Sequence, residues 1–235
     1  MIIILIIEIY RKVVKEINLD IIIEYIPLYI QAAGLTLRLG MGGNLLALIV
    51  GFLSSLSQYY KTPLINGVFK AYTEVSRNTP MLIQLFFIYY GLPKLGIKVS
   101  PEVCAIFGLG FLGGGYFSEA FRGGLDSVSK SQIDAGKSIG LTRFQIMKYV
   151  IFPQALAVSI PNIGANIIFL LKETSIFSVI AIADLTHLAK DLIGIYYNTN
   201  EALFLLVVSY LIILLPLAII TTFLERKLRY AGYGV

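Results

Sequence analysis

Charged and amide side chains interrupt apolar stretches at several points of this 235-residue sequence. Such groups are costly in an apolar environment, so they mark candidate binding or pathway residues. Together they offer donors for an anionic group and acceptors for a cationic one. The candidates are Ser76, Arg77, Thr79, Gln84, Glu119, Asn162, Asn166, Lys172 and Glu173.

Spacing decides which of these side chains can act together. Glu119 and Arg122 are three residues apart and can pair on one helix face, as Asn162 and Asn166 can share one. Lys172 and Glu173 are adjacent and must point in different directions. For each charge, a structural ion pair or a helix-end anchor is the alternative to a binding role.

Three consecutive glycines, Gly113, Gly114 and Gly115, precede Glu119. They either weaken the helix and expose backbone groups to a substrate, as transporters do, or allow close packing of neighbouring helices. The sequence leaves both interpretations open.

Hydrolytic and metal chemistry find no support in the sequence. Cys104 is the single cysteine and His187 the single histidine, so a zinc site lacks a ligand set. His187 lies near Asp184 and Asp191, but we interpret it as an outer-loop residue rather than a proton relay. Residues 135–138 resemble the end of a phosphate-binding loop, but Ser131 replaces the required glycine and no strand precedes it.

The composition identifies the elements that must position these groups. With 57% hydrophobic and 14% charged residues, much of the chain is solvated by lipid. We predict an all-α membrane protein with about five transmembrane helices of ~20 residues or more. The predicted regions are an interfacial helix at 1–20, a transmembrane domain at 21–229 and a tail at 230–235. The predicted spans lie near 25–56, 64–92, 101–121, 155–183 and 203–224. Lys and Arg are concentrated before span two, after span three and at the C-terminus, which places those segments in the cytoplasm.

The segment 131–153 is too polar to be a span and too regular to be a loop. Ser131 and Asp134 resemble a capping box, and Thr142 with Gln145 forms a second one. Two short helices are predicted, with a turn at Gly140 and an end at Pro153. Gly136 would share a helix face with Gly140 and leave a bare backbone strip for another protein.

Ordered motifs then resemble the polar amino acid subfamily of ABC importer permeases. Residues 134–136, Gly140 and 150–153 are similar to its EAA loop, with Asp134, Gly136 and Phe152 as departures. Residues 77–87, 116–124 and 171–175 are similar to its other signatures. The resemblance covers about residues 25–229.

The resemblance implies an ABC type I importer permease fold, with residues 131–153 as a coupling helix docked on a separate ATPase. It adds Ser175 to the substrate-binding candidates. A bulky residue at Gly140 is then expected to block docking. The implied ATPase-interface residues are Gln132, Asp134, Ala135, Gly136, Ser138, Gly140, Leu141 and Arg143.

The implied partners are a second permease copy or paralogue, two cytoplasmic ATPase subunits, an external amino acid binding protein and membrane lipid, without nucleic acid. The implied location is the inner membrane of a prokaryote. No cofactor is expected in this chain, because ATP and Mg²⁺ would bind the ATPase.

An ion-gradient-driven amino acid transporter is the alternative function. An intramembrane enzyme would need a catalytic cluster that the spans lack. Which polar amino acid is carried stays open.

Overall fold

The computed structural model describes residues 17–228, and every regular element in that range is helical. The prediction for residues 1–16 and for the tail 230–235 lies outside the described residues. The helices are α1 Leu19–Tyr59, α2 Ile65–Asn78, α3 Met81–Phe86, α4 Pro101–Asp126, α5 Lys130–Ser138, α6 Arg143–Ile146, α7 Phe152–Glu173, α8 Leu185–Tyr196 and α9 Thr199–Leu228.

Four helical stretches are long and apolar enough to cross a membrane: Leu19–Tyr59, Pro101–Asp126, Arg143–Ile180 and Thr199–Lys227. Met81–Leu95, which continues α3 through a π turn and a 3-10 turn, is a shorter apolar helix. The chain therefore has the predicted class of fold, an all-α membrane protein with several apolar helices.

Helix α4 is the central helix and α9 is peripheral. In their most apolar windows, 67% of α4 residues are buried within the protein, against 6% for α9. Helix α4 begins at Pro101, as predicted, and Ser100 caps it. Small residues bring α1 close to α4, since a Cβ on Gly43 would overlap Leu109 and one on Gly51 would overlap Phe117.

The interval 64–92, predicted as one span, contains two helices. Thr79 precedes Pro80, which disfavours helical backbone, and Thr79 is extended (φ −108°, ψ 126°). At its other end, α2 is separated from α1 by Lys61 (φ 51°) and Leu64 (φ 63°), both left-handed. Helix α2 is thus an independent, strongly amphipathic segment that packs on α1 and α4.

The polar segment after α4 contains the predicted pair of short helices, with differences at both ends. The box of Thr142 and Gln145 is confirmed, and so is the turn at Gly140 (φ 82°). The predicted cap at Ser131 is wrong, because the extended residue before the helix is Ser129. Pro153 does not end the second helix either; a π turn at Met147–Ile151 precedes it, and α7 continues to Glu173.

The glycine strip is also corrected. Gly136 is buried, with Ile146 and Leu141 around the position of its missing Cβ. Gly140 lies beyond the last helical residue, Ser138, so the two glycines do not share a helix face. Gly136 joins the two short helices to each other, and Gly140 makes the turn between them.

Candidate functional site

A cavity of about 350 Å³ lies where α2, α3, α4 and α7 meet. It contains three of the predicted binding residues, Arg77, Thr79 and Glu173. Tyr116 and Phe169 form an aromatic wall, with ring centroids 5.1 Å apart. The complete lining is Arg77, Asn78, Thr79, Pro80, Met81, Leu82, Leu112, Tyr116, Phe169, Glu173 and Ile176. This central cavity presents a cation, a carboxylate and aromatic surface to one small volume.

Arg77 is held at the edge of the central cavity by two contacts. Its Nη1 lies 3.7 Å from Oε2 of Glu119, and its guanidinium lies 5.6 Å from the centroid of the Tyr116 ring. Glu119 also accepts hydrogen bonds from Arg122, at 2.6 Å to Oε2 and 3.2 Å to Oε1. The sequence-predicted pair of Glu119 and Arg122 is confirmed, and Arg77 is its additional member.

A second cavity, of about 510 Å³, lies beyond Glu119 towards the short helices. We call it the vestibule. Its lining is Gln58, Lys61, Lys70, Thr73, Glu74, Glu119, Arg122 and Asp126. Arg122 contributes a further ion pair there, 3.1 Å from Asp126. The vestibule is therefore highly polar and contains charges of both signs.

Three other candidates make structural hydrogen bonds beside the central cavity. The Gln84 amide donates to the carbonyls of Ser76 (2.9 Å) and Thr79 (2.8 Å), which closes the break between α2 and α3. The Ser76 hydroxyl donates to the carbonyl of Thr73. Asn166 donates to the carbonyl of Tyr116 at 3.3 Å. These side chains hold the cavity walls, and a role in binding substrate stays a prediction.

The glycine triplet lies within an unbroken α4. Gly113 packs against Leu170 and Ala47, Gly114 against Tyr72, and Gly115 against Ser76 and Arg77. Close packing is thus what the structure shows at these positions, and the helix has no break there.

The remaining candidates do not line the central cavity. Asn162 and Lys172 are exposed and are not part of its lining. Ser175 is half-buried, and its carbonyl accepts a hydrogen bond from Ser178. Adjacent residues Lys172 and Glu173 point differently, as the sequence predicts, and only Glu173 reaches the cavity.

The turn between α5 and α6 projects from the bundle. Six of the eight predicted interface residues are exposed there, Leu141 is half-buried, and Gly136 is buried: the exposed ones are Gln132, Asp134, Ala135, Ser138, Gly140 and Arg143. Two large apolar residues outside the predicted set, Ile139 and Phe144, are 77% and 73% exposed beside the turn. Their signal was available, because two large apolar residues flank the turn in an otherwise polar segment.

An anchoring cluster holds these short helices on the bundle. Leu125, Val128, Ile146, Ile151 and Ala155 form a buried apolar group beneath them. The cluster thus connects the short helices to the end of α4 and the start of α7.

Asp184, next to the predicted outer-loop residue His187, is fully buried. Its Oδ1 accepts the N–H of His187 and caps α8, while its Oδ2 has no hydrogen-bond partner. Burial raises the pKa of the Asp184 carboxyl to about 6, against the lowering effect of the donated N–H groups and of nearby His187 and Lys190. His187 itself is half-buried, with Nε2 3.5 Å from Asp191. Among residues 17–228, no group of three His, Cys, Asp or Glu is placed to bind a metal.

Residues 43–230 match the family model described as the inner membrane component of binding-protein-dependent transport systems. The chain belongs to this family. It is 34% identical over 206 residues to the Glutamine transport system permease protein GlnP of Escherichia coli K12, covering 87% of this chain and 94% of that one. It is 34% identical over 217 residues to the Probable amino-acid permease protein YxeN of Bacillus subtilis 168, covering 91% and 97%.

A solved structure agrees with these relatives. The crystal structure of an amino acid ABC transporter with histidines has a chain of 30% identity and TM-score 0.83, covering 90% of this chain and 99% of that chain. This chain is therefore a membrane-spanning permease subunit with the ABC type I importer fold. The family description places it in the inner membrane of a binding-protein-dependent system.

Proposed function

We propose that this chain is the transmembrane subunit of an ATP-driven importer of polar amino acids. The observation that carries the proposal is the central cavity, where Arg77 and Glu173 present opposite charges to one volume. An amino acid is a zwitterion, so it needs donors for its carboxylate and an acceptor for its ammonium group. Arg77 supplies the donors and Glu173 the acceptor, while Tyr116 and Phe169 contact the side chain.

The relatives support this class of substrate. Their names specify glutamine in one case and amino acids in another, and the similar solved transporter is named with histidines. A single cavity with one cation and one carboxylate fits the part that all amino acids share. It leaves the choice of side chain to the aromatic wall.

The assembly we propose is a dimer with a second copy or a close paralogue, two cytoplasmic ATPase subunits and an external binding protein. The loop of α5 and α6 and the C-terminus lie in the cytoplasm, following the distribution of Lys and Arg. ATP and Mg²⁺ bind the ATPase, and this chain couples hydrolysis to the exposure of the central cavity on alternate sides. Ile139 and Phe144 are the docking contacts, because exposed apolar side chains beside a rigid turn are suited to fill a pocket in a partner.

The test is uptake by proteoliposomes that contain this chain, its candidate ATPase and its binding protein. Labelled histidine, arginine, lysine and glutamine are added on the side of the membrane that carries the binding protein. ATP is present or absent on the side that carries the ATPase. ATP-dependent accumulation of at least one of them is expected. Uptake without the ATPase, driven by an ion gradient, would replace this proposal with a secondary transporter.

Docking is tested separately with Phe144→Ala, using co-purification of the ATPase as the measurement. Phe87→Ala is the matched control, because Phe87 is also 73% exposed but lies on the apolar helix Met81–Leu95. Loss of an interface aromatic costs on the order of 2 kcal/mol, so recovery of the ATPase should fall severalfold. Equal recovery with both variants would remove Phe144 from the interface.

A further inference from the structure

Arg77 and Glu119 lie between the two cavities. Arg77 lines the central cavity but not the vestibule, and Glu119 lines the vestibule but not the central cavity. The 3.7 Å contact between them is therefore a boundary between the two volumes. The vestibule includes Lys61 and Asp126, at the ends of α1 and α4 beside the projecting loop.

We propose that Arg77 and Glu119 form the gate between the central cavity and the loop side of the membrane. The gate opens when Arg77 leaves Glu119, and Glu119 stays paired with Arg122. The proposal rests on the proposed function, because it takes the central cavity as the substrate pathway.

The distribution of contacts around Glu119 makes such a gate reversible. An unpaired charge in a partly buried position is costly, so a gate that left one behind would open slowly. Arg122 makes the closer, two-pronged contact with Glu119, at 2.6 and 3.2 Å. Arg77 makes the longer contact and also faces the Tyr116 ring. When these two residues separate, Glu119 keeps a cation and Arg77 keeps an aromatic face.

The element that carries Arg77 is built to move as a unit. Helix α2 is bounded by left-handed Lys61 and Leu64 before it, and by the extended Thr79 after it. Breaks at both ends let a helix change orientation without unfolding. Glu119 and Arg122, in contrast, lie on the central helix α4.

The contact between α2 and α4 is close at this level. Ser76 and Arg77 lie directly over Gly115, and Tyr72 lies over Gly114, with its hydroxyl bonded to the carbonyl of Phe111. The glycine triplet thus lets the helix that carries Arg77 come within reach of Glu119, and the gate opens by movement of the Arg77 end of α2.

The gate is tested by the rate at which a cysteine inside the central cavity is labelled. Ile176→Cys lines the cavity, and Cys104→Ala first removes the single native cysteine. The assembled transporter in membrane vesicles receives a membrane-impermeant maleimide on the face that carries the projecting loop. Neither substrate nor ATP is needed, so the result does not depend on which amino acid is carried.

Glu119→Gln and Arg77→Gln should each label about fivefold faster than the parent, as expected for loss of a half-exposed ion pair. The exchange Arg77→Glu with Glu119→Arg should return the rate towards the parent value. Asp126→Asn is the control, because Asp126 pairs with Arg122 at the same face but does not contact Arg77. Its labelling rate should equal that of the parent.

The gate proposal would be overturned if Glu119→Gln were labelled at the same rate as the parent. It would also be overturned if the exchange variant were labelled as fast as the single variants. Faster labelling of Asp126→Asn would do the same, since it would show a general loosening of the vestibule. These outcomes are separate from the uptake assay. If labelling responds as expected while no amino acid is accumulated, the gate stands and the proposed substrate fails.

Discussion

The hydroxyl of Tyr72 donates a hydrogen bond to the backbone carbonyl of Phe111, across 2.8 Å. The bond joins α2 to the central helix α4. It is possible because Gly114, three residues further along α4, has no side chain in the way. One missing Cβ therefore sets how close the helix that carries Arg77 comes to the helix that carries Glu119.

Gly114→Ala should displace α2 and break this hydrogen bond. An added methyl group in a packed helix contact costs about 1–3 kcal/mol. The melting temperature of the purified chain in detergent should therefore fall by several degrees. Gly123→Ala is the control on the same helix, because no atom lies within 4 Å of its added Cβ; it should melt at or above the parent's melting temperature, since Ala is the better helix former. Equal melting of the two variants would show that α2 is not held by this contact.

The sequence was sufficient to predict the parts of the fold that depend on residues close together in the chain. The apolar runs predicted the four long apolar helices, although the interval 64–92 contains two helices rather than one span. Three-residue spacing predicted the contacts of Glu119 with Arg122 and of Thr142 with Gln145. It was insufficient where two distant segments meet. Nothing near Arg77 in the sequence shows that it reaches Glu119, since the two are on different helices.

The glycines illustrate the same limit. A run of glycines can break a helix or allow a neighbour to approach, and local sequence does not distinguish the two outcomes. Tyr72 and Ser76 decide it for residues 113–115, and they come from another helix. At Gly136 and Gly140 the four-residue spacing suggested a shared face, but the first helix ends at Ser138 and the turn separates them.

Gly140 is needed for its backbone conformation rather than for space. Its φ is 82°, and no atom lies within 4 Å of an added Cβ. Gly140→Ala should destabilise the protein by about 1 kcal/mol, and Gly140→Asn by less, because Asn tolerates left-handed backbone. Gly34→Ala, in equally open space but within α1, should leave the protein at least as stable as the parent, because Ala is the better helix former. Thermal unfolding of the three variants ranks them; an Ala variant at Gly140 as stable as the parent would contradict this account. A Trp at this position would strain the turn as well as obstruct docking, so Phe144 is the better probe of the partner.

Asp184 should make stability depend on pH. Its carboxyl has a pKa of about 6 when folded, against 3.8 for an unperturbed aspartate, so the unfolded chain loses the proton first as pH rises. The free energy of unfolding should therefore fall between about pH 4 and pH 6, by at most about 3 kcal/mol, and stay level above that. Asp184→Asn should remove this fall, because an amide does not titrate and its oxygen can still accept the N–H of His187.

The measurement for Asp184 is the melting temperature of each variant from pH 4 to 8. Asp20→Asn is the control, because Asp20 is exposed in the first turn of α1. As pH rises, the melting temperature of Asp184→Asn should increase relative to that of the parent. The melting temperature of the control should change with pH as that of the parent does. A constant difference between Asp184→Asn and the parent at every pH would show that the carboxyl is already ionised throughout this range.

Two adjacent charges give the sharpest test of the central cavity. Glu173 lines it, whereas Lys172 is exposed and does not line it, although the sequence predicted both as binding residues. Glu173→Gln removes the acceptor for the ammonium group, and loss of a charge-assisted hydrogen bond costs about 1.5–3 kcal/mol. ATP-dependent uptake at low substrate concentration should fall by about tenfold or more.

Lys172→Gln is the control, and its uptake should stay within about twofold of the parent, since a surface charge contributes less than 1 kcal/mol. Co-purification of the ATPase should be unchanged in both, which separates substrate binding from assembly. If uptake fell equally in the two variants, Glu173 would not be a specific contact of the substrate. It would then be a structural residue of the cavity wall.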